Sequence, residues 1–304
     1  MHGLGNDYVY LNFMHPNLKN KDNQLIPENL LSKLAIQISD RHYGVGSDGL
    51  VLIEPGETQF VKMRMFNSDG SEAEMCGNAI RCIAQYVFDS KIVHKKDFAI
   101  QTMNRDYPIQ ILTEGQVRVD IGTPNQGNLS DLMKPNNDIS ETLSIHFPKS
   151  EAVNYRFSRI NMGNPHAVVF LNDEENRNLG KLSSNEINVT EIGPQFENHP
   201  VFPNKTNVEF VTHINDSEIA IRVWERGSGE TLACGTGACA AAVASIITGR
   251  TNRKITVHLT GGDLEIDWNE STNHVYMTGP TQYVFSGNFI FHLEDLDRLK
   301  EGET

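Results

Sequence analysis

Two cysteines of this 304-residue chain stand in nearly the same local sequence, GSEAEMCGNAIRC around Cys76 and GSGETLACGTGAC around Cys234. Each follows an acidic residue placed four positions earlier (Glu72, Glu230) and precedes a glycine (Gly77, Gly235) and a run of small and apolar residues that reads as helix. A thiol at a helix N-terminus feels the positive end of the helix dipole and the first-turn N–H groups, which lower its pKa from about 8.5 and let it hold negative charge. The same N–H groups, on Gly77–Asn78 and Gly235–Thr236, are a ready anion site, and glycine lets a ligand approach the backbone. Taken singly, each cysteine reads as a packed small apolar residue. Repetition of the whole context argues instead for two thiols serving one site. Cys82 and Cys239 lie further into the same helices and read as packing residues.

Other chemistry-bearing residues sit in turn-like clusters: HGLGND (2–7), FNSDG (66–70), MGNPH (162–166), NVEF (207–210) and WERG (224–227). The amides of Asn6, Asn67, Asn164 and Asn207 offer a donor to a carboxylate and an acceptor to an ammonium, as a zwitterionic ligand requires. Any one of them serves equally well as an ordinary turn residue. Glu225 suits an ammonium and Arg226 a carboxylate. Neighbours on a strand point to opposite faces, so at least one of this pair must reach a site from an irregular strand end. His166, with an ordinary pKa of about 6.5, suits a general base or a hydrogen-bond partner for a thiol. A cysteine hydrolase would need a single nucleophile, which the duplication argues against. GVGSDG (44–49) has the spacing of a dinucleotide loop, but it follows a helix and opens a strand, the reverse of that context. The cysteine spacings are not those of a zinc site, and no metal is expected.

The elements that must position these residues are mostly strands. PENLLSKLAIQISD (27–40) has apolar residues at helical spacing behind a proline in its first turn. VKMRMF (61–66), VRVDIG (117–122), IAIRVW (219–224) and KITVHLTGGDLEIDW (254–268, with a Gly261–Gly262 turn) alternate as strands. The long helices follow Cys76 and Cys234, so each half reads as a sheet-rich unit with one central helix. Asn125 to Ser150 reads as a polar connection with little periodicity, and the tail LEDLDRLKEGET as a solvated acidic end. A net charge of −13 disfavours a nucleic-acid partner, and no run is long and apolar enough to span a membrane. The start, MHGLGNDYVY, shows no export signal. The expectation is a cytoplasmic protein with a small-molecule substrate, no nucleic acid and no membrane, with a homodimer left open.

Together HGLGND, RHYGVGSDG, FNSDGSEAEMCGN, GNPH, the Asn of NVEF, ERGSGETLACGTGAC and TGPTQYVF resemble the diaminopimelate epimerases over nearly the whole chain. The resemblance implies an α/β (α+β) fold of two pseudo-symmetric domains, each a curled, barrel-like sheet around a central helix, with the substrate in the cleft between them. It implies domains of 1–124 with about 284–304, carrying Cys76, and 125–283, carrying Cys234. The implied activity interconverts LL- and meso-diaminopimelate, a step toward lysine and peptidoglycan precursors, without pyridoxal phosphate or any other cofactor. One cysteine thiolate removes the α-proton and the other, as thiol, reprotonates the opposite face.

Carried over by motif, Cys76 and Cys234 are the acid/base pair, and Gly77, Asn78, Gly235 and Thr236 hold the reacting carboxylate. Asn6 and Glu225 lie near the reacting ammonium, and Asn67, Asn164, Asn207 and Arg226 read the distal amino-acid end. His166 and Glu225 tune the thiols. Some relatives carry Gln where this chain has Gly49, so a contact made by that side chain is missing. The rival readings are a proline or hydroxyproline racemase of the same fold, disfavoured by Arg226 and the asparagines, and a non-catalytic binding or thiol-redox protein.

Overall fold

The same six-strand pattern is built twice along the chain. In the computed structural model, which describes residues 1–14, 26–113, 115–124, 140–145, 153–173, 176 and 187–291, the chain divides into two compact units. Unit 1 takes Met1–Val119 and the described part of Pro280–Thr304, and unit 2 takes Asp120–Gly279.

Unit 1 opens with a tight hairpin of β1 (His2–Gly3) and β2 (Asn6–Asp7), turned by Leu4 and Gly5, both at positive φ. Its strand order is β3 (Val9–Asn12), β4 (Gly49–Pro55), β5 (Val61–Asn67), β7 (Asp97–Gln101), β8 (Asp106–Thr113) and β9 (Gln116–Gly122), with β6 (Glu72–Ala73) folded back on β5. β3 and β4 are parallel, as are β5 and β7, and the remaining pairs are antiparallel. Unit 2 runs β12 (Pro165–Phe170), β13 (Asn207–Asn215), β14 (Glu218–Glu225), β16 (Lys254–Leu259), β17 (Gly262–Trp268) and β18 (Val275–Pro280), with the same alternation of parallel and antiparallel pairs. β15 (Gly229–Thr231) folds back on β14 as β6 does on β5. Unit 2 adds β10 (Ser140–Ile145) and β11 (Val153–Asn161) beside β12.

The parallel pairs at the start of each array need a crossover, and a helix supplies it. In unit 1 this is α1 (Glu28–Ser39), whose Leu30, Leu31, Leu34 and Ile38 pack on Leu50, Leu52 and Phe66, with Phe289 and Phe291 against the same cluster. In unit 2 it is α3 (Val189–Glu197), whose Val189, Ile192 and Phe196 join Tyr155, Phe157 and Phe210, the aromatic rings meeting edge to face.

The second helix of each unit is α2 (Gly77–Asp89) or α4 (Gly235–Ile247), and both are buried on nearly every side. α4 packs against β11, β12, β13, β14, β16 and β17, so the sheet wraps it. α4 is accordingly small and apolar along most of its length, whereas α2 buries Asn78, Arg81 and Gln85. The α4 run Ala238–Cys239–Ala240–Ala241–Ala242 supplies helix-forming residues small enough for strands to close round it.

Three elements differ from the sequence reading. α3 was not expected, because Gly193 and Pro194 interrupt its pattern; Gly193 is required there, since a Cβ would lie 2.4 Å from the Trp224 ring. β10 lies within the stretch read as a polar connection, with Leu143 and Ile145 buried at alternate positions. The rest of 125–150, apart from residues 140–145, lies outside the described residues, as does the tail LEDLDRLKEGET. The β16–β17 turn falls on Thr260–Gly261, because Gly262 already pairs with Leu259. Among the described residues no helix is long and apolar enough to cross a membrane.

Candidate active site

Each unit delivers one cysteine to the N-cap of its enclosed helix. The backbone is extended at Cys76 (φ −131°, ψ 124°) and at Cys234 (φ −111°, ψ 113°), then turns helical at the following glycine. Both cysteine carbonyls accept the first helical hydrogen bond, from Ile80 and Ala238, each at 3.0 Å. First-turn N–H groups have no partner within their own helix, so each cysteine borders a patch of positive potential.

The acidic residues four positions ahead of the cysteines hold the strands rather than the site. Glu72 on β6 pairs with Arg64 on β5, and Glu230 on β15 pairs with Arg222 on β14, both at 2.7 Å to Nε. Each pair fastens the short strand that leads into a cysteine.

In unit 1 the Cys76 thiol donates to Asn6 Oδ1 at 3.3 Å, and Asn78 Nδ2 donates to the same oxygen at 3.3 Å. Asn6 is oriented by Asp48, whose carboxylate takes Asn6 Nδ2 at 2.8 Å and the Asp7 N–H at 3.1 Å. Arg41 bridges Asp7 and Asp48, 2.9 Å from each. Burial pushes the Asp48 carboxyl up, against the downward pull of the Asn6 hydrogen bond. Behind Asn78 the wholly buried Arg81 donates to its Oδ1 at 2.7 Å and to the Gly77 carbonyl at 3.0 Å, which leaves the Asn78 amide nitrogen for Asn6. Asn67 is not drawn onto the thiol; its amide binds Ser71 at 3.0 Å inside the β5–β6 turn. Gly49 pairs with Asn67 across β4 and β5, and a Cβ there would lie 2.2 Å from the Phe66 carbonyl oxygen, so this backbone has no room for the Gln of some relatives.

In unit 2 Cys234 is more deeply buried than Cys76. Its sulfur accepts from the Gly237 N–H at 3.3 Å and lies 3.6 Å from Thr236 Oγ1. Asn164 Nδ2 donates to Thr236 Oγ1 at 3.3 Å, and Asn164 Oδ1 meets His166 Nε2 at 2.9 Å. His166 Nδ1 lies 2.7 Å from Glu209, and both side chains are fully buried. Among these contacts His166 therefore reaches the thiol through Asn164 and Thr236. Burial, then the negative charge of Glu225, pushes the Cys234 thiol up, outweighing the hydrogen bonds from Thr236 and Gly237. The lowering expected from the helix dipole is overridden here, and the surroundings of Cys234 favour thiol over thiolate.

Glu225 ends β14 and accepts from Thr231 Oγ1 at 2.5 Å, whereas Arg226 begins the exposed turn beyond it. The pair thus sits at the irregular strand end that the chemistry demanded. Asn207 Oδ1 holds the Arg226 N–H at 2.9 Å while its amide donates to the Pro165 carbonyl at 3.1 Å. The Arg226 guanidinium donates to the Asn204 carbonyl at 3.1 Å.

Asp48, Arg81 and Glu209 were missed from sequence. Glu209 left a signal: an acid between Val208 and Phe210 on a strand whose core neighbours are apolar. Cys82 and Cys239 are wholly buried in their helices, as packing residues are, and burial pushes the Cys82 thiol up.

The family model described as diaminopimelate epimerase matches residues 1–126 and 158–284. The diaminopimelate epimerase of Methanococcus maripaludis strain C6 is 46% identical over 300 residues, covering 94% of this chain and 97% of the relative. That of Acetivibrio thermocellus is 45% identical over 298 residues, covering 94% and 96%. Among solved structures, a probable proline racemase from Agrobacterium radiobacter K84 with bound carbonate superposes with a TM-score of 0.59 at 14% identity, covering 94% of this chain and 92% of the other, a likeness of fold alone. With that family model matched over most of its length and extended sequence similarity to both epimerases, the chain belongs to the diaminopimelate epimerase family.

Proposed function

We propose that this chain interconverts LL- and meso-2,6-diaminopimelate by passing the α-hydrogen between Cys76 and Cys234, with no cofactor. The observation that carries the reading is the repeated half-site: a thiol at the N-cap of a buried helix, with an asparagine amide bonded at 3.3 Å to the residue two positions beyond the cysteine, Asn78 or Thr236. Two such thiols addressing opposite faces of one carbon invert it, since a proton leaves to one sulfur and another arrives from the other.

The difficulty is the weak acidity of an amino-acid α-carbon. Helix N-termini and fixed N–H groups at Gly77, Asn78, Gly235 and Thr236 would receive the α-carboxylate and stabilise the charge that builds on it, the preorganised electrostatics on which such a reaction depends. In the free protein burial and Glu225 favour the protonated thiol at Cys234. Asn6 and Glu225 would take the reacting ammonium. Asn67, Asn164, Asn207 and Arg226 would read the distal amino-acid end, with Arg226 forking onto its carboxylate. A cytoplasmic setting suits the chemistry, because reducing conditions keep both thiols free.

The test is purified protein with LL-diaminopimelate in deuterated water and no added cofactor. Deuterium should enter at the α-carbon as the meso form appears, and Cys76→Ser and Cys234→Ser should each lose most of the epimerisation. Survival of epimerisation in both single variants would sink the two-thiol assignment.

A further inference from the structure

Glu209 is a fully buried acid of unit 2 that no step of the proposed reaction uses. Its strand neighbours Val208 and Phe210 are core residues, and its own side chain is wholly buried. One carboxyl oxygen meets His166 Nδ1 at 2.7 Å, while the other is buried with no hydrogen-bond partner. The carboxyl also lies against the first turn of α4: a Cβ on Gly237 would stand 2.7 Å from Glu209 Oε1 and 3.3 Å from the Cys234 sulfur. Gly237 is thus the residue whose missing side chain lets a carboxyl and a thiol crowd the same helix N-terminus.

The hydrogen-bond directions fix where protons are. Asn164 gives its amide nitrogen to Thr236 and turns its carbonyl oxygen to His166 Nε2. A carbonyl oxygen only accepts, so Nε2 carries a proton. The bond between Nδ1 and Glu209 then requires a second proton, on the ring or on the carboxyl, and the pair is neutral as a whole. Burial pushes the Glu209 carboxyl up, which favours keeping that proton, and a bare carboxylate with an unpartnered oxygen in the core would be costly. The charged and titratable groups facing Glu209 are His166 from β12, Glu225 from β14 and Cys234 from the N-cap of α4.

We infer that Glu209 is a positioning residue of the Cys234 half-site: sharing one proton with His166, it anchors the line of hydrogen bonds through Asn164 and Thr236 that holds the Cys234 thiol. Its kinetic consequence rests on the epimerase reading, whereas its effect on the thiol does not.

The experiment compares wild type, Glu209→Gln and Glu209→Ala by iodoacetamide alkylation across pH, resolved by peptide, with Cys76 as the reference thiol inside the same molecule. kcat and KM for LL-diaminopimelate are measured alongside. Glutamine keeps the shape and neutrality of the protonated acid, so Glu209→Gln should retain the Cys234 profile and keep kcat within about threefold. Glu209→Ala removes the anchor and opens the site to water. Cys234 should then react about fivefold faster relative to Cys76, with its profile moved to lower pH, and kcat should fall about tenfold. Should Glu209→Ala not fold, Glu209→Asp, which withdraws the carboxyl from His166, carries the same comparison. An unchanged ratio of Cys234 to Cys76 reactivity, even with lowered thermal stability, overturns the inference, and so does a glutamine variant as damaged as the alanine one. If wild type fails to epimerise while the alkylation pattern holds, the activity is wrong and the positioning role stands.

Discussion

Asn6 and Asn164 hold the same place in their two units. Each precedes the strand that pairs in parallel with the next strand of its array, Val9 with Leu50 and Ala167 with Val208. Each is bonded at 3.3 Å to the residue two positions beyond its cysteine, Asn78 or Thr236. The equivalence extends along the register: Tyr8 matches His166, Gly49 matches Asn207, and Asn67 matches Glu225, which stands the same distance ahead of Cys234 as Asn67 does ahead of Cys76. The two units share one pattern and differ in which polar group stands beside each thiol.

The first prediction concerns Asn6. Asp48 fixes its amide so that the carbonyl oxygen faces Cys76 and Asn78. Asn6→Ala should lower kcat about a hundredfold through misplacement of the thiol, with little change in melting temperature. Asn6→Asp should do no better, because a second carboxylate would face Asp48 where the amide now donates at 2.8 Å. Steady-state kinetics check both, and an Asn6→Ala enzyme within about twofold of wild type would remove Asn6 from the Cys76 half-site.

A second prediction follows from the upward push on the Cys234 thiol by burial and Glu225. Below the ordinary thiol value both folded and unfolded chains hold the proton, and the stabilisation is fully present. As pH rises past about 8.5 the unfolded thiol ionises while the folded one cannot, so stability falls by about 1.4 kcal/mol per pH unit from this group until the folded value is reached. Melting temperatures from pH 7 to 10 should therefore decline more steeply in wild type than in Cys234→Ser. Parallel declines would show that the thiol is not held protonated.

Much of this was readable from sequence because the repeated cysteine context and the 3.6-residue spacing of α1 are local signals. α3 was not, since its glycine and proline serve packing on Trp224 and hide the helical period. Yet α3 follows from the duplication itself: α1 bridges the parallel pair β3–β4, and the matching pair β12–β13 needs an equivalent bridge. Asp48, Arg81 and Glu209 escaped for a different reason. They act on amides and rings that face the thiols, so their importance lies in three-dimensional contacts that spacing does not encode. The upward push on Cys234 escaped for the same cause, because desolvation and the Glu225 carboxylate from β14 outweigh the one local feature, the helix N-terminus.

A third prediction separates binding from chemistry at Arg226. The Asn207 side chain holds the Arg226 backbone, and among the described residues the exposed guanidinium donates to the Asn204 carbonyl. Forking onto a substrate carboxylate, as proposed, would therefore break no buried ion pair. Arg226→Lys keeps the charge but loses the planar fork, so KM for diaminopimelate should rise about tenfold with a smaller change in kcat. A lysine variant with wild-type KM would place the distal carboxylate elsewhere.

The last prediction tests whether the glycine at position 49 is a lost contact or a requirement of this backbone. Gly49 and Asn67 are cross-strand partners, and the ideal Cβ position at 49 lies 2.2 Å from the Phe66 carbonyl oxygen and 2.9 Å from the Tyr8 ring. The first obstacle is backbone, which cannot rotate aside as a flexible side chain would, so Gly49→Gln must push β4 away from β5. That overpacking should cost about 1–3 kcal/mol and lower the melting temperature. The displacement would fall on Asn67 and the turn that leads through β6 to Cys76, so kcat should drop rather than rise. Gly49→Ala, which introduces the clash without the amide, should reproduce most of both losses, since the obstacle is met by the first carbon. A glutamine variant as stable as wild type, with improved kcat/KM, would show instead that the amide seen in some relatives can be restored on this scaffold.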